Sequence, residues 1–174
     1  MGEAMPSPAE MRLERLKSDW ESMVRIRGPV VDWKALSGQD KYVDDYALTI
    51  RVRSITGPAP NFRDTHNFRI TLPGDYPTAS PDISSTDNPI PFNPNFFKTG
   101  RWCLGTWAET DTLGKTVLRM VRTLQFDPKL INVRSPANSD ARAWYDRQAG
   151  SGLFPTDRQL LPNPEGMRIR VRTR

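Results

Sequence analysis

Apolar residues recur first at spacings of three and four, then of two, then of three and four again. Ser7-Pro8-Ala9-Glu10 predicts a helix start, with Ser as cap, Pro at the first helical position and Glu reaching back to complete a capping box. Leu13, Leu16, Trp20 and Val24 follow as one apolar stripe on a charged helix that ends before Gly28-Pro29. From Tyr46 the period shortens: Tyr46, Leu48, Ile50 and Val52 alternate with Ala47, Thr49, Arg51 and Arg53, a strand with one buried face. Gly57-Pro58-Ala59-Pro60-Asn61 breaks it, and Phe68, Ile70 and Leu72 mark a second strand returning antiparallel to the first. Val30 to Leu36 supplies a strand before this pair and Pro81 to Ser85 a short one after it, giving a four-stranded meander. Residues 86–112 carry no period but hold Pro89, Pro91, Pro94 and Gly100 together with Phe92, Phe96, Phe97, Trp102 and Trp107, and a loop this long and aromatic is usually functional. Beyond it, Leu113, Val117, Met120, Val121 and Leu124 mark a buried helix ending at Asp127-Pro128, and Ala137, Ala141, Trp144 and Tyr145 mark another. The order of helix, strands, long loop and helices is that of an α+β fold, with no internal repeat and no linker.

Composition narrows the chemistry. The 174 residues suit one domain, and 37% hydrophobic with 26% charged residues suits a globular chain. No apolar run approaches the roughly 18 residues of a membrane span, and no apolar leader opens the chain, so the expected compartment is the cytoplasm, without membrane attachment. A single cysteine, Cys103, excludes an intrachain disulfide; with one histidine, His66, too few soft ligands remain for a zinc site. Any triad needing an imidazole base would have to use His66. Of the formal charge of +5, most resides in residues 164–174, where four arginines face Glu165, so the preceding body is nearly neutral. Nucleic-acid binding through a basic face is therefore not expected, and any such role would belong to the tail. Arginine outnumbers lysine 19 to 6, the mark of a GC-rich coding genome.

The long loop contains Asn93-Pro94-Asn95-Phe96-Phe97-Lys98-Thr99-Gly100-Arg101-Trp102-Cys103-Leu104, and here the chain resembles a ubiquitin-conjugating enzyme. That family places a His-Pro-Asn triplet after its meander and the catalytic cysteine eight residues after the Asn, usually followed by Leu; Asn95 and Cys103 stand eight apart. Leu72-Pro73-Gly74-Asp75-Tyr76-Pro77 with Pro81 is similar to the segment leading into the family's last strand. Ser135-Pro136 with Ala141 and Tyr145 is similar to its gate loop and the helix behind it. The resemblance covers residues 8–148. It implies the ubiquitin-conjugating-enzyme fold over 1–150, followed by a C-terminal extension over 151–174 with a basic, alternating tail. The arginine-rich composition points to a prokaryotic relative, of the kind encoded beside an activating enzyme, a ubiquitin-like protein and a metalloprotease, for which an antiviral role is the expectation.

On this resemblance Cys103 receives the C-terminus of a ubiquitin-like protein from an activating enzyme as a thioester and passes it to a lysine amine of a target protein, with no cofactor and no metal. A thiolate is the nucleophile, and the incoming thioester already has a good leaving group, so no strong base is needed. Asn95 has two open roles: its amide donates to the oxyanion formed during amine attack, a bond of roughly 3 kcal/mol, or it pins the loop backbone. Asn93 replaces the triplet's His, which mainly braces the loop, a task open to an amide. Ser135, 32 residues after Cys103, stands where the family places an acidic or hydroxyl gate residue, and equally reads as a turn or helix cap. Arg12, Arg15 and Lys17 lie on the first helix, the surface on which relatives dock the activating enzyme, or form a solvated face. His66 at a strand start reads as a structural histidine. Thr78 replaces an aromatic that contacts RING ligases, and the Ser-Pro-Ala turn before the second helix is missing, so a conventional RING partner is not implied. An inactive relative that binds a ubiquitin-like protein or scaffolds a complex is the alternative, and the retained cysteine discriminates against it. The tail from Met167 to Arg174 alternates strictly; adding to a sheet, binding an acidic partner and disorder all remain open for it.

Overall fold

The computed structural model describes residues 2 and 4–164; the alternating tail lies outside the described residues. Helix α1 (Pro8–Ile26) begins as its sequence predicts: the Ser7 side chain accepts from the Glu10 amide, and the Glu10 carboxylate accepts from the Ser7 amide. Strands β1 (Val31–Gln39), β2 (Tyr42–Ile50), β5 (His66–Thr71) and β6 (Asp82–Ser85) form one antiparallel sheet in the order β1-β2-β5-β6. Between β2 and β5 the chain makes a small separate hairpin, β3 (Ser54–Gly57) and β4 (Asn61–Arg63), around the Gly-Pro-Ala-Pro-Asn break. Helices α2 (Leu113–Leu124) and α3 (Ser139–Gln148) follow the long loop.

The sheet register follows from its alternation. Leu48 lies opposite Trp33 on one side and Phe68 on the other, and Ile70 lies opposite Ile83, so one face carries a continuous apolar row. That row, with Tyr46, Ile50 and Val52, shares a buried core with the apolar side of α2, where Leu113, Val117, Met120, Val121 and Leu124 are all covered. A second, mainly aromatic cluster joins Ile55, Phe126, Ile131 and Trp144 with Phe92, Tyr145 and Phe154.

Helix α1 departs from its expected stripe. Leu13 and Val24 are 46% and 42% exposed, and the buried side is Leu16, Asp19, Ser22, Met23 and Ile26. Two polar residues face inward because they serve α2: Asp19 Oδ1 accepts from the Leu113 amide at 2.8 Å and Ser22 Oγ from the Gly114 amide at 2.9 Å. These are orphan donors of α2's first turn, beyond what its own cap Thr112 satisfies through Lys115 N. Gly114 permits the approach, since a Cβ there would sit 2.8 Å from the Ser22 carbonyl oxygen.

Residues 151–164, expected as an extension, pack on the body. Phe154 stacks on Phe126 at 4.9 Å, and Leu161 packs against the main core. The Thr156 amide donates to the Gln125 carbonyl at 2.8 Å, Asp157 accepts from the Arg53 amide at 2.7 Å, and Arg25 Nε donates to the Pro164 carbonyl at 2.9 Å. Among the described residues no helix is long and apolar enough to cross a membrane.

Candidate functional site

The loop between β6 and α2 is held by two isolated backbone bridges, Ser84 with Arg101 and Phe96 with Trp102, and by side-chain amides. Asn93 is fully buried; its Oδ1 accepts from the Asn95 amide at 2.8 Å and its Nδ2 donates to the Thr123 carbonyl at 3.0 Å, in the last turn of α2. One side chain thus makes the turn and ties it to the end of α2, at a carbonyl that also accepts from the Phe126 amide at 3.0 Å. Asn95, 8% exposed, continues outward: Nδ2 donates to the Leu130 carbonyl at 2.8 Å and Oδ1 accepts from the Asn132 amide at 2.8 Å. Its own carbonyl accepts from the Cys103 amide at 2.8 Å. The triplet therefore joins the cysteine segment, α2 and the 130–138 loop, and the Pro94 carbonyl adds a bond from the Ala137 amide at 2.8 Å.

Cys103 is half-buried and unpaired, and it lines a cavity of about 200 Å³ together with Asn95, Trp102, Arg119, Lys129 and Asn132. Arg119 reaches across from α2: one Nη donates to the Leu104 carbonyl at 3.0 Å, and the guanidinium lies over the Trp102 ring at 5.5 Å. It braces the residues on both sides of the cysteine. The Trp102 Nε1 and Arg119 Nε are buried without a hydrogen-bond partner among the described residues. No imidazole lines the cavity. His66 is buried at the β5 start, its Nε2 within 3.1 Å of the Val52 carbonyl and 3.0 Å of the Arg63 carbonyl. Burial and the Arg63 charge hold its pKa below the ordinary value, which favours the neutral ring.

The other expected site residues are placed differently. Ser135 is exposed and is not among the residues lining the cavity; its amide donates to Asn132 Oδ1 at 3.0 Å and its carbonyl accepts from Asn132 Nδ2 at 2.7 Å. Asn132 occupies the cavity wall in its stead. Arg12 donates to the Pro73 and Tyr76 carbonyls at 2.7 and 3.2 Å. Arg15 Nε donates to Asp19 Oδ2 at 2.8 Å, one Nη donates to the Tyr76 hydroxyl at 3.0 Å and to the Asp111 carbonyl, and the other Nη donates to the Glu109 carbonyl. Both arginines are thus engaged in fastening α1 to two loops, while Lys17 is half-buried on the same helix. Burial opposes the Arg15 charge, but Asp19 outweighs it and raises the pKa; burial beside Asp19 also pushes the Tyr76 phenol up.

Sequence reasoning missed Arg119, Lys129 and Asn132. Asn132 carries a legible signal, an Asx-type turn in Asn-Val-Arg-Ser. Arg119 and Lys129 carry none, because a cation on a helix surface and one in a turn look ordinary until the fold brings them to the sulfur. Among the described residues no group of His, Cys, Asp and Glu is arranged to hold a metal ion. Chemically, the cavity offers an accessible sulfur nucleophile with cations and amides but no protein base, an arrangement suited to exchange with an already activated acyl group. No protein-family model matches the chain, and no curated protein matches its sequence.

Proposed function

We propose that this chain has the ubiquitin-conjugating-enzyme fold and is a cysteine-dependent acyl transferase of that type, taking a ubiquitin-like modifier from an activating enzyme onto Cys103 and transferring it to a lysine amine. The observation that carries the reading is the Asn93-Pro94-Asn95 triplet, whose amides fix the Cys103 segment at the mouth of a cavity. An α+β body with an N-terminal helix, a four-stranded antiparallel sheet and two later helices supports it. Loading is thioester exchange: the Cys103 thiolate attacks the incoming carbonyl, the carbon–sulfur bond to the donor cysteine breaks, and that sulfur leaves as the thiolate. Discharge follows when an amine attacks and Cys103 departs. Both bonds of the Asn95 amide noted above go to the backbone, which supports its pinning role over that of an oxyanion donor. The neutral, exposed Ser135 offers an incoming lysine no carboxylate, so discharge is slow near pH 7. A prokaryotic cytoplasm, and defence against viruses, is the setting this proposal assumes.

The test is to isolate the protein from its own cells without reductant and weigh it intact. A reducible adduct the size of a small protein is expected on the wild type, a reductant-resistant ester on Cys103→Ser, and no adduct on Cys103→Ala. Adduct formation by the alanine variant sinks the proposal, and a folded wild type that never carries an adduct returns the chain to the non-catalytic binding module.

A further inference from the structure

Arg119 and Leu130 line the Cys103 cavity and also a second cavity of about 310 Å³ along α2, bounded by Lys115, Leu118, Arg122 and Pro164. Four cations, Lys115, Arg119, Arg122 and Lys129, therefore border two neighbouring cavities, one of which holds Cys103. Asp111 is the only carboxylate among the described residues lining either cavity, and it is paired with Lys115 at 2.9 Å. Arg122 and Lys129 are exposed, so they add positive potential where a ligand would lie.

We propose that the two cavities act as one groove for the extended C-terminal segment of the modifier, and that their cations select a modifier that is acidic just upstream of its terminal residues. The inference rests on the proposed function, because it is the thioester at Cys103 that fixes one end of the occupant. Lys115 to Arg122 spans two turns, about 10 Å along the helix axis, which matches about three residues of extended chain. Aliphatic Leu118, Leu130 and Pro164 floor the groove, as suits a peptide; a nucleic acid would call for exposed aromatic rings on which bases stack.

The experiment loads the full-length protein from synthetic peptide thioesters that share a terminal glycine and a simple alkylthiol leaving group and differ only in carrying three glutamates, three serines or three lysines upstream. In each case the Cys103 thiolate attacks the thioester carbonyl and the alkylthiolate leaves. The acidic peptide is expected to load roughly tenfold faster than the neutral one, as a few exposed ion pairs allow, and the basic peptide slower. That gap should close in about 0.5 M salt, where screening shortens the reach of the charges, and in a folded Arg122→Glu/Lys129→Glu variant. Equal rates for the three peptides overturn the groove assignment while leaving thioester chemistry at Cys103 standing. Failure of every peptide to load a folded protein overturns both. Stronger inhibition by a single-stranded oligonucleotide than by an unactivated acidic peptide of equal charge reassigns the groove to nucleic acid.

Discussion

Asp19→Ala is expected to be among the most damaging single changes to stability, although it lies far from the cysteine in sequence. The carboxylate is fully buried and receives three donors: Arg15 Nε at 2.8 Å, the Leu113 amide at 2.8 Å and the Tyr76 hydroxyl. Removing it strands a buried phenol and a helix-start amide, each costing about 1–3 kcal/mol. Arg15 loses its ion pair but keeps the carbonyls of Glu109 and Asp111, which softens the loss. Breaking a buried charge pair from one side generally costs 3–5 kcal/mol, so about 4 kcal/mol is expected in total. Urea unfolding should show this as a midpoint about 2 M lower with the slope unchanged, and melting should fall by about 10 °C. Asp19→Asn keeps an acceptor for the Leu113 amide and should lose about half as much. A loss under about 1 kcal/mol for the alanine variant would show that the carboxylate does not tie α1 to α2, and strict additivity with Tyr76→Phe in a double-mutant cycle would show that it does not hold the Tyr76 hydroxyl.

Gly114→Ala should cost about 1–3 kcal/mol despite alanine's better helix propensity, because the added methyl meets the Ser22 backbone; a stabilised variant in the same urea assay contradicts the close approach. His66 sets a pH dependence: with its folded pKa depressed, the stabilisation is complete above the unfolded value of about 6.5 and is lost as pH falls below it, down to the folded pKa. Unfolding midpoints between pH 7 and 5.5 should fall more steeply for wild type than for His66→Gln, and equal slopes refute the assignment. Asn95→Ala should leave the Leu130 carbonyl and Asn132 amide unpaired at a cost of about 1–3 kcal/mol and slow loading and discharge together. A defect confined to discharge in single-turnover assays would instead restore the oxyanion role.

What the sequence revealed depended on whether a residue's neighbours in the chain are also its partners in space. The α1 cap, the alternation of β2 and β5 and the spacing from Asn95 to Cys103 are local patterns, and each could be read directly. The inward side of α1 could not, since Asp19 and Ser22 are buried to meet amides more than 90 residues away. The β3–β4 hairpin was read only as a break because its strands have four and three residues, too few to show a period. Ala137 was placed in the last helix, but the helix starts after Asn138, whose side chain caps it through the Ala141 amide. The cysteine motif likewise pointed to Cys103, while the cations that share its cavity come from α2 and the turn that follows.

The packing of residues 151–164 also sets an order of events during synthesis. Phe126, Trp144 and Tyr145 leave the ribosome before Phe154, whose ring lies 4.9, 5.8 and 4.7 Å from theirs. At roughly 5–20 residues per second, the interval between Tyr145 and Phe154 is about a second. Through that second the main sheet and α2 already have every residue of their own, whereas the aromatic cluster still lacks its last ring. A ribosome stalled short of residue 154 would thus hold out a body complete in its sheet but open at this aromatic corner.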